Sequence, residues 1–417
     1  MATVTDAAAK PPTKPAARFK LTWPWVLLII AGALCLVSIV RLITGAEDIT
    51  STGLASATLR LAAPIGLAGL GGLWAERSGV VNIGLEGMMI LGTWFGAWAS
   101  FQWGPWTGLV FGILGGMIGA LVLAVAAVTF GVNQIIAGVA VNILAFGFTQ
   151  YLSELTFAEE GGSAKQSPPL ERIGTFTIPG LSDWLKDLNG KHWFFVSDLA
   201  GLLGGAVTNI SYLTILAIAM VPLTWFVLWR TSFGLRVRSC GESPKAADSL
   251  GVDVYRYKYL AVLVSGALAG FGGYFLADAS GLYQEGQTGG RGYIGLAAMI
   301  FGNWMPGGTA LGALLFGFTD SLNVRSGGEN VHALLLLIVI LLAGSVLWQL
   351  YKRKVTSAAI TAVIAGLLLW YYLSTDVVPS QFVAMAPYVT TLVVLALFSK
   401  RLRMPKAAGM AYRKGDI

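Results

Sequence analysis

Apolar residues in this chain gather into long runs, and the polar breaks between the runs are short. The runs fall at about 23–43, 57–74, 81–100, 105–129, 134–155, 211–229, 259–278, 291–304, 308–323, 331–350, 357–374 and 385–399. Most approach the ~20 residues that an α-helix needs to cross a bilayer. The pattern predicts about twelve membrane helices. The eighth run is short and rich in glycine, so a broken or re-entrant helix is expected there. The first run follows Lys10, Lys14, Arg18 and Lys20. It resembles the start of a signal peptide, but it is too long for an h-region and lacks a small-x-small cleavage site, so a retained anchor is expected.

Composition agrees. Of 417 residues, 55% are hydrophobic and 12% charged, against ~25% charged in soluble domains. Water does not solvate such a chain as a globule, and disorder, collagen and a disulfide scaffold are excluded. The 53 glycines fit a membrane bundle, because small residues let helices approach closely. Cys35 lies in an apolar run and Cys240 in a basic loop, so a mutual disulfide is not expected, and no metal-ligand spacing occurs.

The net charge of +7 would suit nucleic acid, but its distribution speaks for topology. Lys and Arg number four in the tail 1–22, one at Arg77, six in 230–258, three in 351–356 and six beyond 399, together 20 of the 28. All fall on one side if every run crosses. The other side holds Arg41, Arg60, Lys165, Arg172, Lys186, Lys191, Arg291 and Arg325. The positive-inside rule then makes both termini (1–22 and 400–417) cytoplasmic, around a transmembrane domain at 23–399. Residues 156–210 become the external loop and 230–258 the main cytoplasmic loop. No nucleic-acid partner is implied.

An internal repeat is legible. Gly66-Leu67-Ala68-Gly69-Leu70-Gly71-Gly72 returns as Ala267-Leu268-Ala269-Gly270-Phe271-Gly272-Gly273. Gly84-Leu85-Glu86-Gly87, with Gly92 and Trp94, is echoed by Gly292-Tyr293-Ile294-Gly295, with Gly302 and Trp304. In the expected topology the copies are inverted, an architecture of transporters. The bland alternative is chance likeness between glycine-rich helices.

No soluble catalytic apparatus is visible. There is no phosphate-cradling G-x-x-x-x-G-K-[ST] run, and His192 and His332 stand apart from any nucleophile, so no catalytic residue is assigned. The candidate chemistry is polar and lies inside the apolar runs. Asn82 and Glu86 are four apart, on one face of any continuous helix, and a carboxylate in a membrane span usually faces a cavity or a partner. Gly84 and Gly87 could instead interrupt that helix. Gln134 and Asn142, near Asn133, lie about two turns apart, and amides offer donors and acceptors to a neutral solute. Asn82, Glu86, Gln134 and Asn142 are therefore candidates for a substrate pathway, or equally for fold-fixing glue between helices. Trp94, Phe95 and Trp98 are candidates for stacking on a flat ring or for interfacial anchoring.

The cytoplasmic loop is the most specific local signal. In it, Glu242-Ser243-Pro244-Lys245-Ala246-Ala247-Asp248-Ser249-Leu250-Gly251 offers an N-cap serine, a proline at the first helical position and a glycine just past the end. A helix of about two turns is expected, too short to be stable alone and so docked on something.

These residues resemble permease subunits of bacterial ABC importers for nucleosides, relatives of the ribose and branched-chain amino acid permeases. The likeness is carried by the segment from Glu76 to Gly87, by Gly131-Val132-Asn133-Gln134-Ile135-Ile136-Ala137-Gly138, by the loop 241–251, by the segment from Gly290 to Gly302, and by Pro387-Tyr388-Val389-Thr390-Thr391-Leu392. It implies an all-α polytopic membrane protein of the type II importer fold, with about ten core helices plus two extra. The family's ATPase-coupling helix would fall at Glu242, Ser243, Pro244, Lys245, Ala246, Ala247, Leu250 and Gly251. The resemblance further implies an ABC ATPase subunit carrying the ATP and Mg, a second and different permease, an extracytoplasmic receptor lipoprotein, and a place in the bacterial cell membrane. No cofactor is expected in this chain, and the solute would cross by alternating access. One departure is an insertion of about 55 residues (325–380) holding two apolar runs, an even number that preserves the orientation of the last helix. The alternative reading is a secondary transporter driven by protons or sodium, with Glu86 as the titrating carboxylate.

Overall fold

The computed structural model describes residues 23–158, 160–325, 327–385, 389 and 402–414. The tail 1–22 and nearly all of the last apolar run and its Pro387-Tyr388 motif lie outside these residues. The helices are α1 (Trp23–Thr44), α2 (Thr52–Arg77), α3 (Leu85–Trp103), α4 (Pro105–Ala124), α5 (Gln134–Thr156), α6 (Leu181–Gly190), α7 (Val196–Gly205), α8 (Tyr212–Arg230), α9 (Ser232–Glu242), α10 (Pro244–Ser249), α11 (Val254–Ser280), α12 (Arg291–Phe301), α13 (Pro306–Arg325), α14 (Gly327–Tyr351), α15 (Val355–Ser374) and α16 (Ser380–Ala384). The strands β1 (Thr175–Phe176) and β2 (Ile210–Ser211) form a two-residue antiparallel ladder.

The protein is an all-α polytopic membrane protein. Among the described residues, seven helices are long and apolar enough to cross a membrane: α2, α4 with its π-helical extension to Thr129, α5, α8, α11, α14 and α15. The other helices that match predicted runs are α1, α3, α12 and α13, and nearly all of the last run lies outside the described residues. Of these helices, α12 has only 11 residues, α3 carries Glu86 in its first turn, and α13 carries Asp320, Asn323 and Arg325.

The elements start and stop where local chemistry dictates. Ser51 caps α2 by accepting a hydrogen bond from the Leu54 amide, and Asn133 caps α5 through Ile135 and Ile136. Asn133 is thereby a cap, not a member of a polar wall. Beyond α2, Gly79 has φ +88°, a left-handed turn that a side chain would strain. The chain at residues 80–84 is not helical and α3 begins at Leu85. The expected run 81–100 thus loses its first turn, and Asn82 does not share a helical face with Glu86.

Packing centres on α11, which lies against α2, α3 and α4, while α2 lies against α11, α12 and α13. The first helix of each repeat therefore packs on the second and third helices of the other copy. The helices α2 and α11 run antiparallel, with Gly71 over the Ser265 carbonyl and Gly272 over the Pro64 carbonyl. That is the relation expected of inverted repeats. Backbones touch at the crossings. A Cβ on Gly116 would come within 2.6 Å of the Gly270 Cα, and one on Gly69 within 2.8 Å of the Gly295 carbonyl oxygen. Lipid supplies no hydrophobic drive between helices, so such close van der Waals approach is what binds them.

The stretch 156–210 is more ordered than the loop expected there. It holds α6, α7 and the small ladder, and the buried carboxylate of Asp198 on α7 takes an ion pair from Arg41 of α1 at 3.0 Å and a hydrogen bond from Thr50 at 2.5 Å. Residues 327–374 hold α14 and α15, which pair with each other, and α14 also packs on α1 through Ala333, Leu334 and Leu337 against Val40.

Substituting Gly270 by valine should cost ~1–3 kcal/mol or more through overpacking, seen as a lowered melting temperature of the detergent-solubilised protein. Gly344→Ala and Gly366→Ala, which meet nothing within 4 Å, should leave it unchanged or raise it slightly.

Candidate functional site

Two non-helical entries meet inside the bundle. One is the α2–α3 junction, residues 78–84, and the other is the connection from α11 to α12, residues 281–290. Their meeting point is Glu86 in the first turn of α3. Its Oε1 accepts from the Gly290 amide at 2.9 Å and its Oε2 from the Gly292 amide at 2.7 Å. Both amides belong to the open N-terminus of α12, where unpaired N–H groups and the helix dipole favour a negative charge. Gly290 has φ +79°, and a Cβ on Gly292 would lie 2.6 Å from the Glu86 Cα. Only glycine allows the two chains so close.

The other three polar candidates hold the same junction. Gln134 accepts from the Val81 amide at 2.6 Å. Asn142 accepts from the Gly87 amide at 2.7 Å and donates to the Ile83 carbonyl at 3.0 Å and the Tyr293 hydroxyl at 2.9 Å. Asn82 donates to Ser265 of α11 at 2.8 Å, while its buried Oδ1 has no partner among the described residues. The four therefore converge on one element, tying it to α5, α11 and α12. All four are buried.

Sequence reasoning missed several members of this network. Glu76 accepts from the Trp304 indole at 2.5 Å, and Arg77 donates to the Trp304 carbonyl at 2.6 and 3.1 Å. Arg291 pairs with Asp320 at 2.7 Å. The acid-base pair Glu76-Arg77 at the end of an apolar run was a usable signal, but its partner lies 228 positions away. Trp94 is buried, donates to Ser153 at 2.9 Å and stacks on Trp98 with centroids 6.3 Å apart. Its ring is thus taken up inside the fold. His192 is exposed near Glu47, and His332 stacks on Tyr372. Among the described residues no three His, Cys, Asp or Glu side chains could hold a metal.

The second candidate region is α10. It is six residues long, with Ser243 at its N-cap position and Gly251 just beyond it at φ +82°. The Ser243 side chain makes no capping hydrogen bond, so the cap expected there is positional only. Residues 230–258 also hold α9, which Thr231 caps through Gly234. Ala247 is buried with Cys240 and Val254, whereas Glu242, Ser243, Lys245, Ala246 and Leu250 are exposed, Leu250 to 84%. A short helix thus stands on a small apolar base and offers Ser243, Ala246 and Leu250 outward. Burial pushes the Cys240 thiol up to about 11.

A family model described as "branched-chain amino acid transport system / permease component" matches residues 54–344. The chain is 35% identical over 367 residues to the guanosine ABC transporter permease protein NupQ of Bacillus subtilis, covering 86% of this chain and 96% of that protein. It is 35% identical over 359 residues to the nucleoside ABC transporter permease protein NupC of Lactococcus lactis, covering 84% and 93%. It is 36% identical over 278 residues to the putative glucose ABC transporter permease protein TsgC13 of Haloferax volcanii, covering 66% and 78%. No solved structure matches.

Replacing Glu86 by glutamine turns one acceptor of the α12 amides into a donor, and the loss should be about 1–3 kcal/mol, read as a lowered melting temperature. Cys240 should resist maleimide at neutral pH in the folded protein and react once detergent unfolds it, because its thiolate is scarce and covered.

Proposed function

The chain belongs to the family of branched-chain amino acid transport system permease components, and on that premise we propose that it is the membrane-spanning subunit of an ATP-driven importer for nucleosides. The observation that carries the solute class is the full-length likeness to two permeases named for guanosine and nucleoside transport. The polar ring at the α2–α3 junction is compatible with an uncharged solute, since its one carboxylate among the four candidates, Glu86, is already engaged by backbone amides.

In this reading the energy comes from a separate ABC ATPase, which binds ATP and Mg, and α10 is the element that enters it. Its exposed face of Ser243, Ala246 and Leu250 suits a groove on another protein, because exposed apolar side chains on so short a helix gain nothing from water. The mechanism is alternating access. ATP closes the ATPase pair, α10 moves, and the motion reaches the junction holding Asn82, Glu86, Gln134 and Asn142. A second, different permease subunit completes the pathway, and an extracytoplasmic lipoprotein delivers the solute. Both termini face the cytoplasm. Three of the basic clusters support that assignment by lying together: Arg77, the α9–α10 region, and the 402–414 segment, which pairs with Gly79 and Gly241. Cations collect on the cytoplasmic side.

In proteoliposomes containing the chain, its ATPase, the second permease and its receptor, nucleoside uptake should require ATP. Ala246→Glu and Leu250→Asp, both on the exposed face of α10, should reduce uptake by at least about ten-fold, as losing a central apolar contact does, without altering the melting temperature of the chain. Uptake by the chain alone on an ion gradient would sink the reading. A receptor that binds free sugars and no nucleoside would overturn the solute class.

A further inference from the structure

Residues 402–414 form no helix, yet they are seated against three separate elements. The Ala407 amide donates to the Gly241 carbonyl at 2.9 Å, and the Gly409 amide to the Gly79 carbonyl at 3.3 Å. The Arg403 amide donates to Asn303 at 2.7 Å, just beyond α12. Further along, the Tyr412 carbonyl accepts from the Tyr255 hydroxyl at 3.3 Å, and the two rings lie 5.6 Å apart. The Tyr412 side chain lies beside Asp248 of α10, and its ring joins the apolar base formed by Cys240, Ala247 and Val254.

The site is built for close approach. A Cβ on Gly79 would stand 3.3 Å from both the Ala407 carbonyl oxygen and the Gly241 Cα, and one on Gly241 would stand 3.0 Å from the Gly79 amide. Gly409 takes φ +82°, a turn that L side chains adopt rarely. Three backbones therefore meet at one point: the α2–α3 junction, the elbow between α9 and α10, and the 402–414 segment. The first of these leads in a few residues to Asn82 and Glu86. The second carries the short helix that cannot hold its own orientation.

We propose that residues 402–414 are a clasp that fixes α10 against the α2–α3 junction, so that movement of α10 is passed to the junction and not lost in rotation of a loose helix. Tyr412 is the positioning residue that grips α10 itself, through Asp248 and Ala247. This rests on the reading of α10 as the ATPase-docking element. A coupling path needs an element with a defined pose that both ends bias, and this contact adds to the hold that Cys240 of α9 and Val254 of α11 already give α10.

The test is made on the assembled importer in proteoliposomes, measuring solute imported per ATP hydrolysed. Tyr412→Ala and a chain ending at residue 401 should still assemble and hydrolyse ATP, while the import ratio falls at least about five-fold, the lower range of site-to-site coupling. Tyr412→Phe keeps the ring contacts and should give an intermediate ratio. A merely structural role would lower assembly and leave the ratio of the surviving complexes intact, and that result overturns the proposal. So does an unchanged ratio in Tyr412→Ala, whether or not the truncated chain assembles. An unmodified complex without ATP-dependent uptake would instead overturn the underlying reading, and this inference with it.

Discussion

A carboxylate placed on the open end of a helix holds the centre of this molecule together. Glu86 of α3 closes the N-terminus of α12 with two short hydrogen bonds, and without it the first amides of α12 would lack partners in a medium with no water. An unpaired N–H there costs several kcal/mol, whereas a charge-assisted bond is among the stronger ones available. The same contact joins the two repeats at equivalent places, since Glu86 and Gly292 both lie in the Gly-x-x-Gly segments that echo each other. Re-entrant backbone at each junction is tolerated because the opposite copy satisfies it.

Around that contact the bundle is assembled by removal of side chains. The crossings of α11 with α3 and α4, and of α2 with α12 and α13, bring backbone to backbone at Gly92, Gly116, Gly266, Gly270, Gly69 and Gly295. Such interfaces resist lateral sliding, because most of the atoms met are main chain or Cβ, which have no rotamers to yield. The peripheral helices α14 and α15 lack that character. Gly344 and Gly366 there face open space, and the apolar faces left bare suit lipid. The inner unit and the outer pair differ in the chemistry of their contacts.

The junction and α10 then stand in a plain physical relation. The residues that brace the junction, Gln134, Asn142 and Ser265, sit on helices spanning the bundle. The base of α10, Cys240 and Ala247 with Val254, is continuous with the foot of α11. Gly241 lies directly over the turn at Gly79. From Gly241 to the junction at Gly79 the contact is made by main chain.

What the sequence determined by itself is whatever depends on local composition. Runs of apolar residues are long because lipid demands it, so the helices α4, α5, α8, α11, α14 and α15 could be read to within a few residues. The stretch from Ser243 to Gly251 was legible because Pro244 fixes its own φ at a helix start and Gly251 takes the left-handed turn just past the end. The repeat was legible because glycine cannot be exchanged where backbones touch. Only the tertiary structure decided that Asn82 leaves the helix, that Trp94 is buried, that Trp304 answers Glu76 and Arg77, and that α9 precedes α10. Each depends on a partner far along the chain, and whether a polar group is spent on that partner or left open to a solute is settled by distance in space, which spacing in a single sequence does not record.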